Sequence, residues 1–175
     1  MVDEDWRAPQ VDRFPEPLAL PERAALEGWL DYHRDTLLTK CAGLDAQQLR
    51  RRSVPPSNLS LLGLVRHMTE VERSWFRTRI DGADLPDIYC TPDNLDGDFD
   101  DVDEADPAQA FQTYAAELGL VREAAARHEL DDSFTSRRGN RLDLRWVYLH
   151  MIEEYARHNG HADLLRECLD GVTGE

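Results

Sequence analysis

LRWVYLHMIEEYARHNGHADLLREC, residues 144–168, decides how the rest of the chain is read. Positions alternately three and four apart along it are Leu144, Val147, Met151, Glu154, His158, His161, Leu165 and Cys168. That spacing draws one face of a helix, the face that a helical bundle buries. Apolar residues hold both ends of the face, and Glu154, His158 and His161 hold its middle. Ionisable side chains on a buried face are costly unless something pairs with them. A divalent metal ion is an economical partner, because it accepts both imidazole and carboxylate. The alternative is a hydrogen-bonded polar core without metal, since buried polar groups find partners.

Working outward, three more amphipathic segments precede this one. The first runs from about Pro21 to Ala42, with Pro21 suited to a first turn and Gly43 to an end. Its stripe is Leu26, Leu30, His33 and Leu37. The second runs from about Ser57 to Ile80, after Pro55-Pro56 and before Gly82, with Ser57 or Asn58 as cap. Its stripe is Leu61, Leu64, Met68, Val71 and Trp75. The third starts at Asp106-Pro107, with Gln109 in capping-box position, and carries Phe111, Tyr114, Leu118, Val121 and Ala125. The fourth starts near Asp143 and stops before Gly171. A long acidic connection, residues 84–106, separates the second segment from the third. A shorter one, residues 130–142, has room for a brief extended piece. No period-two pattern competes and no internal repeat is present. The expectation is an all-α four-helix bundle, one domain over residues 1–175, with residues 1–20 as an N-terminal extension.

Composition narrows the function. The formal net charge of −15 opposes binding to nucleic acid or to an anionic membrane surface. No apolar run is long enough to span a bilayer. Residues 1–17 are acidic and Pro-rich, unlike a secretory signal, so a cytoplasmic location is expected. Cys41, Cys90 and Cys168 are odd in number and far apart, which fits reduced thiols. Cys41 and Cys168 read as small core residues, Cys90 as a loop residue. Lys40 is the sole lysine in an Arg-rich chain, a composition that points to a GC-rich bacterial source.

Glu154 and His158 stand one helical turn apart, and His161 follows on the same face. A zinc-type site needs at least three protein ligands, so another helix must supply one. His67, beside Leu64 and Val71, is the best candidate. His33 lies on the stripe of the first helix and is a candidate fourth ligand or outer partner. His150 ranks lower, and His128 reads as a surface residue at a helix C-terminus. Arg66 and Arg157 read as solvated, and Trp75 and Tyr155 as core packing or pocket lining. The acidic stretch 93–104 fails the calcium-loop pattern: with Gly97 at position 6, Pro92 falls first and Asp103 twelfth. It reads as a solvated loop that could cover the mouth of a site.

The segment from Pro56 to His67, continuing through Glu70 to Phe76, resembles an actinobacterial branch of the DinB superfamily. So do Leu144 to Glu167, the Trp29 to Arg34 stretch and the closing Asp170-Gly171. The branch is one of unknown function, and the resemblance covers nearly the whole chain. It implies an up-down-down-up bundle with one helix 2 histidine and a helix 4 pair around a divalent metal. By position, His67 and His158 match ligands of that pattern. Glu154 stands where a histidine is usual, a departure that the resemblance shares with the similar N-terminal domain of mycothiol-dependent maleylpyruvate isomerase, which uses a Glu there. His161 has no ligand counterpart.

The resemblance further implies Zn²⁺, with Ni²⁺ as second choice, and mycothiol as a co-substrate. It also implies a small-molecule substrate and a homodimer. The isomerase's additional domain has no counterpart here, so that isomerisation is not expected. Two imidazoles and one carboxylate would leave the metal a position for a thiol or a water, whose pKa it lowers. The expected functions are therefore thiol S-transfer, metal-dependent hydrolysis, or a non-catalytic metal-stabilised binding protein. His161 and His33 are the candidates for a proton relay or an orienting group.

Overall fold

A computed structural model describes residues 5–173; the first four residues of the expected extension, and the last two of the chain, lie outside the described residues. The protein is mostly helical. Four long helices carry it: α1 (Glu22–Cys41), α3 (Leu61–Glu72, continuing to Ile80), α5 (Pro107–Ala125) and α6 (Leu144–Asp170). Two short helices, α2 (Ala46–Arg50) and α4 (Gly97–Asp100), sit in connections. A small antiparallel hairpin, β1 (Ser133–Thr135) with β2 (Arg141–Asp143), is the extended piece expected before the last helix. None of the described helices is long and apolar enough to cross a membrane.

The helix ends follow local chemistry. Asp143 accepts from the Trp146 amide at the start of α6, and Gly171 takes a left-handed φ of 77° at its end. Asp106 caps α5 through the Ala108 amide, with Pro107 behind it. The expected capping box does not form; Gln109 turns instead toward the Thr113 hydroxyl. Helix α3 starts at Leu61 rather than Ser57, because Ser60 is the residue whose hydroxyl accepts from the Gly63 amide. From Arg73 to Ile80 the same helix widens to π winding, with the Asp81 amide reaching back to the Phe76 carbonyl.

Helix α1 lies against α6, and α3 packs on both α5 and α6. Leu30 and Leu37, Leu64 and Met68, Tyr114 and Val121, and Val147 and Met151 are all buried in one core. The expected stripes are thus the buried faces, except at Cys168, which is exposed while the adjacent Leu169 packs against the core. The described part of the extension is anchored near its start: the Ala8 amide donates to the Leu44 carbonyl at 2.9 Å, and Trp6 meets Phe111 edge to face.

One polar cluster crosses this core. Arg34 of α1 donates two bonds of 2.7 Å to Glu72 of α3, whose side chain is fully buried. Tyr155 of α6 donates to the same carboxylate at 2.9 Å, and Tyr114 of α5 donates to Tyr155 at 2.8 Å. Burial opposes the Arg34 charge, yet the adjacent Glu72 charge holds its pKa well above the ordinary value. Removing one partner of such a pair strands the other charge in the core, at a cost of about 3–5 kcal/mol. Urea unfolding of Glu72→Ala should show a loss of that size. A change below about 1 kcal/mol, the range of surface pairs, would contradict the assignment.

Candidate metal centre and its cleft

Three ionisable residues from two helices converge. His67 of α3 and Glu154 and His158 of α6 each offer a ligand atom, all within 4.8 Å of one another. The His67 and His158 rings stand edge to face at 4.8 Å. His158 Nε2 lies 3.6 Å from Glu154 Oε2. The α6 pair meets through its four-residue spacing, and the packing of α3 on α6 brings His67 to it.

Each histidine has an outer partner. Asp98 Oδ2 lies 2.7 Å from His67 Nδ1. A carboxylate accepts, so Nδ1 donates and Nε2 is left as the free acceptor of that ring. Phe99 stacks on the other side of the His67 ring at 4.7 Å. His161 Nδ1 lies 3.4 Å from His158 Nδ1. Burial first, then the neighbouring His67 and His161, push His158 down to about 4. Its imidazole is therefore neutral at physiological pH, the form that binds metal.

The other expected candidates lie outside the group of three, although His150 borders it. His33 faces Asn159, which donates to its carbonyl at 3.0 Å, and packs beside Trp29 and Tyr32. It is not brought into the group of three. His150 stacks on Trp146 at 4.8 Å, with Nε2 3.7 Å from Glu154 Oε1. His128 closes the end of α5 against Asp81 at 3.0 Å. Arg157 is exposed and bonds Glu153, as its position on the helix suggested.

Arg66 and the acidic connection differ from the sequence reading. Arg66 is buried; it donates to the Asp98 carbonyl at 3.0 Å and the Gly97 carbonyl at 2.8 Å, and lies over the Tyr89 ring. Glu70 accepts from the Ile88 and Tyr89 amides at 2.8 and 2.7 Å. These two side chains of α3 draw the connection back onto the helix that carries His67. Asp98 is buried by this folding, and Val102 is fully buried beyond it. Acidic composition concealed the loop's role. The informative signal was the apolar Phe99 and Val102 among the aspartates, at odds with a purely solvated segment.

Between this connection, the π-wound end of α3 and the β hairpin lies a cleft of about 830 Å³. His67 and Asp98 line one end of it. Trp75, Arg79, Phe134 and Arg137 line another part. The size is that of a small-molecule site.

A family model described as mycothiol-S-transferase matches residues 25–171, from the first turn of α1 to the cap of α6. The chain belongs to the mycothiol S-transferase family. This is a DinB-like family, and the match replaces the expected branch of unknown function with a family named for a reaction. A comparison with curated proteins gives no match.

Gly97 shows how tightly the loop is fitted. A Cβ there would stand 2.4 Å from the Tyr89 carbonyl oxygen, a backbone atom that cannot rotate away. Gly97→Ala should therefore cost about 1–3 kcal/mol, as overpacking does. It should also speed amide hydrogen exchange across residues 88–101. Unchanged exchange in that segment would contradict the described packing.

Proposed function

We propose that the protein is a divalent-metal-dependent mycothiol S-transferase, with His67, Glu154 and His158 as metal ligands. The observation that carries this is the convergence of the three side chains, of which His67 also lines the cleft, in a chain of this family. The donor set fits the group. Two neutral imidazoles and one carboxylate suit Zn²⁺ first and Ni²⁺ second, and three protein ligands leave a position for substrate. Bound there, the metal would supply Lewis acidity that lowers the pKa of a thiol.

The residues around it do the rest. Asp98 fixes the His67 tautomer and turns Nε2 to the centre, as metal-site carboxylates do. With His158 holding the metal through Nε2, its Nδ1 hydrogen would face His161 Nδ1, and His161, being half-buried, can pass a proton to solvent. Phe99 covers the His67 ring and keeps water from that side. The electrophile enters from the cleft. In this reading the four long helices form a DinB-like up-down-down-up bundle in one domain. The extended 84–106 connection supports that topology by allowing a non-adjacent crossover. The protein works as a cytoplasmic homodimer on small molecules, with no nucleic-acid or membrane partner.

Elemental analysis of purified protein should find about one Zn²⁺ or Ni²⁺ per chain, by the three-ligand count. His158→Ala should lose both that metal and mycothiol transfer to a chromogenic electrophile. Asp98→Ala, which leaves all three ligands, should weaken metal binding about 10–100-fold. Metal-free wild type that still transfers mycothiol would overturn the assignment.

A further inference from the structure

The far end of the cleft carries positive charge that the metal centre does not use. Arg79 and Arg137 both line it, from different elements. Arg79 belongs to the π-wound end of α3. Its guanidinium lies over the Trp75 ring at 4.2 Å and donates to the Ser74 hydroxyl. The Ser74 bond spans five residues, a spacing that π winding brings together and α winding does not. The guanidinium is thereby held in place without a carboxylate. Arg137 sits in the turn of the β hairpin, which the Ser136 and Asn140 backbone bond closes at 2.8 Å.

Acidic residues outnumber basic ones 35 to 20 in this chain, so carboxylates are not scarce. Asp84 and Asp87 even line the same cleft. Yet neither arginine forms an ion pair among the described residues, whereas Arg73 and Arg77 of the same π-wound stretch share Glu117 at 2.8 and 2.7 Å. Burial first, then the Arg137 charge, lower the Arg79 pKa, against a smaller opposing effect of Asp87. Two guanidiniums that repel each other across a cleft, one of them pinned, are arranged for a shared anion.

We propose that Arg79 and Arg137 form an anion subsite that selects electrophiles bearing a carboxylate, phosphate or sulfonate. The assignment of the anion to the electrophile rests on the transferase reading, since mycothiol itself bears no acidic group besides its thiol. Geometry sets the length of the substrate. The Arg79 guanidinium stands level with Ser74 and Trp75, seven to eight residues beyond His67. At about 1.5 Å per residue, that places the guanidinium about 11 Å along the helix from His67, with the anion it binds lying nearer the metal centre.

Two measurements test this separately from the transferase reading. The first is binding of unreactive 3-nitrobenzoate and its neutral amide, 3-nitrobenzamide, followed by tryptophan fluorescence. Wild type should bind the anion at least about tenfold more tightly than the amide, equivalent to about 1.4 kcal/mol. Arg137→Gln, an exposed hairpin position, and Arg79→Gln should each erase that preference. The second compares kcat/KM for 4-chloro-3-nitrobenzoate and 4-chloro-3-nitrobenzamide with mycothiol. There the sulfur bonds the ring carbon that bears chlorine, chloride leaves with the bonding pair, and the thiol proton passes to solvent. The anionic-to-neutral ratio should fall in both variants.

Arginine-dependent binding without any transfer would support the subsite and overturn the transferase reading. Transfer with equal preference for both electrophiles, or no preference in binding, would overturn the subsite alone.

Discussion

A single buried carboxylate, Glu72, ties the four long helices together. Arg34 from α1 and Tyr155 from α6 bond it directly, and Tyr114 from α5 reaches it through Tyr155. Burial, reinforced by the Glu72 charge, keeps the Tyr155 hydroxyl protonated far above its ordinary range, so it remains a donor. Apolar packing alone tolerates small shifts of one helix along another. A polar network with fixed donors and acceptors does not, because each misplaced bond leaves a buried group unsatisfied. Glu72 lies five residues after His67, and Tyr155 adjoins Glu154. The network therefore sets the register between α3 and α6 at the level where the three candidate ligands meet.

The second constraint is the return of the acidic connection onto α3. Arg66 and Glu70 flank His67 in sequence and both bind loop backbone, one through carbonyls and one through amides. Neither touches the candidate ligand group. Their effect is to deliver Asp98 and Phe99 to the His67 ring and to form a wall of the cleft. The helix that presents a ligand thus also builds the ligand's surroundings. The π winding that follows does the same for the other end of the cleft, by joining Arg79 to Ser74 and Trp75.

The helices were legible because their burial is periodic. The stripes through Leu30, Met68, Tyr114 and Met151 mark faces that the structure buries. The convergence of His67 with Glu154 and His158 was legible as well, because a polar interruption in an apolar stripe needs a partner. What periodicity could not show is pairing across helices at single residues. Arg34, Glu72 and Arg66 look like ordinary helix surface in sequence, and burial of a charge depends on partners far along the chain. Asp98 was hidden for the opposite reason, as one aspartate among many. Winding defects leave no period of their own, so the π turns from Arg73 to Ile80 were also out of reach. Cys168 misled because a three-four alternation drifts around a 3.6-residue helix, so that in the last turns Leu169 packs on the core in its place.

In the proposed function His67, Glu154 and His158 hold a metal with a position open to a thiol. Cobalt substitution can decide whether that position exists, because Co²⁺ reports its ligands by absorption. Titrating the Co²⁺-loaded protein with mycothiol should raise a sulfur-to-cobalt charge-transfer band in the near ultraviolet, saturating at one thiol per metal. The band should be absent from His158→Ala. A Co²⁺ spectrum that mycothiol leaves unchanged would mean that the metal, if bound, is closed to the thiol, and would contradict the account.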